Sequence, residues 1–151
     1  MVIAPTDQRP DWFMPNTKSA THAFERLQAW VACHELALAL YRESDTWPAV
    51  ERYGITAQIR SAAVSSAANI AEGSARRGPR EFKRLLDISL GSLAELAYYL
   101  KLARDLGLLP QDRFTALEIS RDHASRLTWG LAKALGKGAW NRDPASPAPT
   151  V

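Results

Sequence analysis

The run from Gln58 to Glu95 limits the folds open to this chain. It begins with an alanine- and serine-rich segment, Gln58 to Gly73, and passes through a short basic link, Ser74-Ala-Arg-Arg-Gly78. It then continues from Pro79 to Glu95. This pattern predicts two antiparallel helices joined by a tight turn. Gly73 is placed to supply a left-handed stop to the first helix. Pro79 suits the first turn of the second, where no amide donor is required. Pairing about that turn sets residues whose numbers total about 152 beside one another. Gly91 then lies opposite Ser61 and Ala62, which would let the two backbones approach closely. The same register brings Arg60 within reach of Ser92 and Glu95, and Glu72 within reach of Arg80.

Helical periodicity extends on both sides of this hairpin. A first helix over about 22–43 carries two adjacent apolar seams. One is Phe24, Leu27, Val31, His34, Leu38 and Tyr41; the other is Trp30, Cys33, Ala37 and Leu40. In the link that follows, Trp47-Pro48 and Tyr53-Gly54 are expected to fold back and cap the core with their rings. The second helix, about 55–73, presents Ile55, Ile59, Ala62, Ser66 and Ile70 inward. Beside them runs a polar stripe, Gln58, Ser61, Ser65, Asn69 and Glu72. The stripe has no lysine and one charge, so it reads either as a solvated face or as a half-buried network against the third helix. The third helix, about 79–106, again has two seams. One runs Phe82, Leu86, Ser89, Leu93, Leu96, Leu100 and Ala103; the other takes Leu85, Ile88, Ser92, Tyr99, Leu102 and Leu106. Gly107 ends it and Pro110 opens a fourth helix, about 110–135, with Phe114, Leu117, Ala124, Leu127, Leu131 and Ala134 inward. No useful strand-like alternation is present.

The chain therefore reads as all-α, an antiparallel up-down-up-down four-helix bundle over 21–136. Residues 1–20, with prolines at 5, 10 and 15, read as a flexible arm bearing Trp12-Phe13-Met14. Residues 137–151 read as a disordered proline-rich tail. Apolar arcs wider than one bundle core needs leave surface for a second subunit.

Composition narrows the function. The net charge of +3 is mildly basic, so a nucleic-acid reading must rest on a local cluster. One cysteine excludes an internal disulfide and a four-cysteine zinc site. No apolar run reaches membrane-spanning length, and the charged, proline-broken start is unlike a secretory signal; the expected location is cytoplasmic. No glutamate has a histidine three residues on, so the dimetal pattern of helix bundles is missing, and neither a metal nor a cofactor is expected. His34 reads as a packing residue on a core seam. Gly73-Ser-Ala-Arg-Arg-Gly78 lacks the lysine and the preceding strand of a phosphate loop. Ser92 after Gly91 lacks the setting of a nucleophile elbow. Cys33 and His34 are neighbours in a helix and point about 100° apart, so they cannot pair. No catalytic constellation can be placed, and the chain is read as a non-enzyme.

The one charged cluster is Arg76, Arg77, Arg80, Lys83 and Arg84, opposed by Glu81. Arginine forks match phosphate geometry, and the start of a helix adds free amides and a favourable dipole. The candidate partner is an RNA or DNA backbone; the bland reading is a solvated basic loop. Arg60, Asn69, Glu72, Ser92 and Glu95 are candidate braces in a polar network between the second and third helices.

Residues 24–109 resemble the bacterial 23S ribosomal RNA intervening-sequence proteins. The residues that carry the likeness are Trp30 with Ala32 and Leu36, Tyr41, and Pro48 with Glu51-Arg-Tyr-Gly54. Further on they are Gln58-Ile-Arg60, Ser65, Asn69-Ile-Ala-Glu-Gly73, Glu81-Phe82, and Gly91-Ser92 with Glu95. Ser61 stands where the family often has a second arginine, and Ala67 where it often has proline, which should leave the second helix straighter. The resemblance implies an antiparallel four-helix bundle and a ring-like homo-oligomer, with a pentamer as the expected form. Some members are encoded within insertions in ribosomal RNA genes. Similar bundles serve diversity-generating retroelements as accessory proteins that bind nucleic acid through basic surfaces. Two functions are left in play: a nucleic-acid-binding oligomer, or a protein-interaction scaffold presenting its helix ends or the Trp12 arm.

Overall fold

The structure is a computed structural model and describes residues 22–137; the expectations for the arm and the tail lie outside the described residues. Four helices pack side by side: α1 (Gln28–Ser44), α2 (Ile55–Ala75), α3 (Pro79–Asp105) and α4 (Gln111–Gly136). Short 3-10 turns at Ala23–Arg26 and Ala49–Glu51 precede α1 and α2, and no strand occurs among the described residues. Each helix contacts its chain neighbours, α4 also returns to α1, and the α2–α3 contact is the most extensive. This closes the up-down-up-down bundle.

The core follows from 3.6-residue spacing. On α3, Phe82, Leu86, Ser89, Leu93, Leu96, Leu100 and Ala103 are all fully buried. Ile59, Ile70 and Ser66 meet them from α2, Cys33, Leu36 and Leu40 from α1, and Ala124 and Thr128 from α4. The two seams of α1 do not share this role. Cys33, Ala37 and Leu40 face the core, whereas Val31 and Tyr41 are exposed and His34 is half-buried on the flank. His34 is therefore no core residue; it stacks on Trp30 at 4.8 Å between ring centres. The helix also starts later than its apolar period suggests. Buried Leu27 adopts an extended backbone (φ −80°, ψ 119°) between the 3-10 turn and Gln28, and its carbonyl accepts the amide of Val31.

Trp47 closes one end of the core, but Tyr53 does not join it and is 90% exposed. At that end the α3–α4 turn has a Schellman-like closure. Gly107 takes the left-handed conformation (φ 77°) and the amide of Leu108 bonds the carbonyl of Ala103 at 2.9 Å.

The α2–α3 turn corrects the sequence reading. Gly73 does not stop α2; the helix runs on to Ala75, and the left-handed glycine is Gly78 (φ 106°), just before Pro79. Gly73 has another reason to be glycine. A Cβ there would overlap the Phe82 ring, 2.9 Å from Cε2 and nearer still to Cδ2. Because α2 is longer than expected, the pivot moves and so does the register. Ser89 Oγ donates to the Ser66 carbonyl at 2.7 Å, Ser92 Oγ lies 2.8 Å from Ser65 Oγ, and Tyr99 reaches Gln58 at 3.4 Å. These pairs total 155 to 157 in residue number, not 152. Gly91 itself lies on the exposed face of α3, and nothing lies within 4 Å of a Cβ built on it. It makes no close approach. Gly91→Ala should therefore raise stability by about 0.5–1 kcal/mol through helix propensity alone, read as a higher denaturation midpoint.

One feature of the core is polar. Cys33, Ser66, Ser89 and Thr128, one from each helix, are all 0% exposed. Ser66 and Thr128 return their hydroxyls to the carbonyls of Ala63 and Ala124 at 2.7 and 2.8 Å, and Ser89 bonds across to α2. Cys33 Sγ lies 3.8 Å from Thr128 Oγ1. Each hydroxyl thus has a partner, so the layer costs little of the desolvation that an unpaired polar group would.

Candidate nucleic-acid interface

Antiparallel packing fixes which chain segments share an end. The 3-10 turn before α1, the α2–α3 turn and the C-terminus of α4 lie at one end of the bundle. Arg26, Arg76, Arg77, Arg80, Lys83, Arg84, Lys133 and Lys137 cluster there, against Glu25, Glu72, Glu81 and Asp87. Eight cations against four carboxylates exceed the net charge of the whole chain, so the remainder of the described residues is slightly acidic. The positive charge is polarised along the bundle axis.

Within this end the five arginines and lysines singled out from the sequence are not equivalent. Arg76 is paired with Glu72, one turn earlier on α2. Arg84 donates to Glu81 Oε1 from Nε at 3.0 Å and from Nη2 at 2.7 Å. Lys83 is 3.5 Å from Asp87. Arg77 and Arg80 are exposed and have no ion pair among the described residues. Glu72 therefore meets Arg76 and not Arg80, because an i,i+4 neighbour on the same helix is nearer than one across the turn. The bonds from Arg84, with the fields of Arg84, Arg76 and Arg80, hold the Glu81 carboxyl below its ordinary range. The carboxylate stays ionised on mild acidification, so its opposition to the cluster persists. Arg77, Gly78, Pro79, Arg80, Glu81 and Arg84 line an open concavity of about 680 Å³ over the first turn of α3. Three amides of that turn lack helical acceptors, and proline supplies none at the first position. The arrangement can receive a phosphate; it offers no acid, base or nucleophile poised against another.

The proposed braces divide. Asn69 Nδ2 bonds the Ser65 carbonyl and Ser65 Oγ at 2.8 and 3.0 Å, and Ser65 Oγ meets Ser92, so these three form one link between α2 and α3. Arg60, Glu72 and Glu95 are outside it. Arg60 turns to α1 instead: Nε donates to Ser44 Oγ at 2.7 Å, Nη2 to the Tyr41 carbonyl at 3.3 Å, and the guanidinium lies 4.7 Å over the Tyr41 ring. The flank of α2 that carries Arg60 faces α1, where Tyr41 offers a planar surface. Glu95 is exposed on α3. Two groupings were missed from the sequence. One is the four-residue polar layer of the core. The other is a column of rings, His22, Phe24, Trp30 and His34, whose 4-residue spacing from Trp30 to His34 was the available signal.

Among the described residues no group of three metal-ligating side chains occurs, and no helix is long and apolar enough to cross a membrane. The fold defines a small all-helical four-helix bundle with basic side chains gathered at one end of the described residues. The family described as 23S rRNA-intervening sequence protein matches residues 25–130, and the chain belongs to that family. A crystal structure of a protein of unknown function from the S23 ribosomal protein family of Bacteroides thetaiotaomicron has a similar fold. It has a TM-score of 0.64 and 18% identity, covering 70% of this chain and 95% of that one. At this identity the likeness concerns the fold. No curated protein matches the chain.

Proposed function

We propose that the protein is a non-enzymatic homo-oligomer, a pentamer, that binds the backbone of RNA or DNA through Arg76, Arg77, Arg80, Lys83 and Arg84. The observation that carries this reading is the pair Arg77 and Arg80, exposed and without an ion pair among the described residues, at the rim of a concavity on the start of a helix. Repeating that modest patch around a ring multiplies affinity through linked contacts. Val31, Tyr41, Val64, Ile88, Tyr98, Ile119 and Trp129 are exposed to between 37% and 66%. They supply material for subunit contacts. The assembly is tested by light scattering, where the expected mass is five times 16.7 kDa and a mass that stays at 16.7 kDa refutes it.

Binding should be sequence-tolerant and fall steeply with salt, since phosphate contacts release counterions. Reversing Arg76, Arg77 and Arg80 to glutamate is expected to weaken RNA binding by roughly a hundredfold or more at low salt and to flatten the salt dependence. A gel-shift titration over a salt series measures both. A triple variant that binds as well as the parent at low salt would end the assignment. Clean protein that carries no nucleic acid but retains one polypeptide would favour the scaffold reading.

A further inference from the structure

The sequence offers one aromatic residue inside the basic cluster, Phe82, and it is consumed by the core. The fold brings others to the same end from the 3-10 turn and the start of α1. His22 and Phe24 stack nearly parallel, at 7° and 5.4 Å between centres. Phe24 meets Trp30 at 4.9 Å, and Trp30 stacks on His34 at 10° and 4.8 Å. The inner rings are half-buried, whereas His22, the outermost, is exposed.

The column's position follows from helix geometry. Trp30 and His34 precede Tyr41 by about three and two turns, so all three lie on one flank of α1. Tyr41 has Arg60 of α2 over its ring, so that flank faces α2. Stepping antiparallel from the Tyr41–Arg60 contact brings Gln28, the first residue of α1, level with about Gly73, so the 3-10 turn before it lies at the C-terminal end of α2. The 3-10 turn does pack on α2. A stack whose outer ring is exposed therefore lies at the end of α2 from which Arg76 and Arg77 follow.

We infer that this edge is a single-strand site, in which an unpaired nucleobase stacks on His22 and its flanking phosphates meet Arg76 and Arg77. The inference rests on the nucleic-acid reading above and sharpens it. A duplex keeps its bases stacked on one another and can present little besides phosphate here. A single strand can use both surfaces, and stacking is indifferent to base identity because every base has a π-face. Phe24 backs the outer ring, and Trp30 and His34 continue the column behind it.

The test compares oligoadenylate with a mixed-sequence RNA duplex of equal phosphate count at one salt concentration. The single strand should bind roughly tenfold tighter. His22→Ala, at an exposed position, should remove most of that preference while leaving duplex affinity and the salt slope unchanged. Arg77→Ala should weaken both ligands and lower the salt slope by about one. Equal or tighter duplex binding, or oligoadenylate binding unaffected by His22→Ala, overturns the single-strand site while leaving the phosphate reading in place. Binding to neither ligand at low salt overturns both.

Discussion

Gly73→Ala should cost about 2 kcal/mol of folding stability, although the same change inside a helix ordinarily gains up to about 1 kcal/mol. Gly73 has helical backbone and is buried within α2, so its dihedral angles do not demand glycine. The obstacle is across the helix pair. The Phe82 ring occupies the place a Cβ would take, and Leu85 Cβ stands 3.4 Å from it on the same side. Phe82 is fully buried, so its ring is held among core side chains and not at a free surface. The added methyl must then push α2 from α3 where the two helices leave their shared turn. Every inter-helix contact further along would feel that displacement, including the 2.7 Å bond from Ser89 to the Ser66 carbonyl. A second substitution separates this account from a general intolerance of the site. Phe82→Leu alone should destabilise by leaving a cavity, but combined with Gly73→Ala it should cost less than the sum by more than about 1 kcal/mol. Denaturant midpoints of the four proteins give the cycle. A Gly73→Ala variant as stable as the parent would show that the ring, not the backbone spacing, yields.

The same residue shows how far the sequence could be read. Helix number, approximate length and inward faces follow from periodicity, because each inward position is a repeated local choice. Ile55, Ile59, Ile70, Leu93 and Leu100 needed no tertiary information. Register between helices did need it. A helix is nearly uniform along its length, so a slide of two or three residues keeps apolar residues facing apolar residues. What fixed the slide was one large side chain, Phe82, facing one missing side chain, Gly73. The sequence marks both residues but says nothing of their being partners. Arg60 went astray for a related reason: the spacing along α2 does not say which neighbouring helix a flank faces, and this flank meets Tyr41 and Ser44 of α1. The basic cluster was legible because its members lie within nine consecutive residues. Its partition was only half legible. The i,i+3 and i,i+4 spacings of Glu81 to Arg84 and of Lys83 to Asp87 are visible in one dimension. That Arg77 and Arg80 are left without an ion pair among the described residues is a property of the assembled end.

The polar layer makes the strongest kinetic prediction, because it holds the one cysteine of the chain. Cys33 Sγ is enclosed between Thr128 and the hydroxyls of Ser66 and Ser89. Burial raises the thiol pKa above 9.0, against a lowering by the hydroxyl bonds from Thr128, Ser66 and Ser89. An inaccessible and protonated sulfur cannot attack a disulfide reagent, so labelling must wait for the helices to part. Reaction with an aromatic disulfide at neutral pH should then be at least about a thousandfold slower than in the urea-unfolded chain. Since opening is the limiting equilibrium, the Gly73→Ala variant should label roughly thirtyfold faster for a 2 kcal/mol loss. The pH dependence has a definite sign. A folded-state pKa above the unfolded value means that the folded chain holds its proton longer. The stability this provides is complete below the unfolded thiol pKa and is lost as pH rises through 9.0 toward the raised value. Labelling should accelerate on both counts in alkali, through more thiolate and through easier opening. Native protein that labels at the unfolded rate, or a Gly73→Ala rate equal to the parent's, would mean that a local path to Cys33 exists and that the four helices do not seal their centre as one unit.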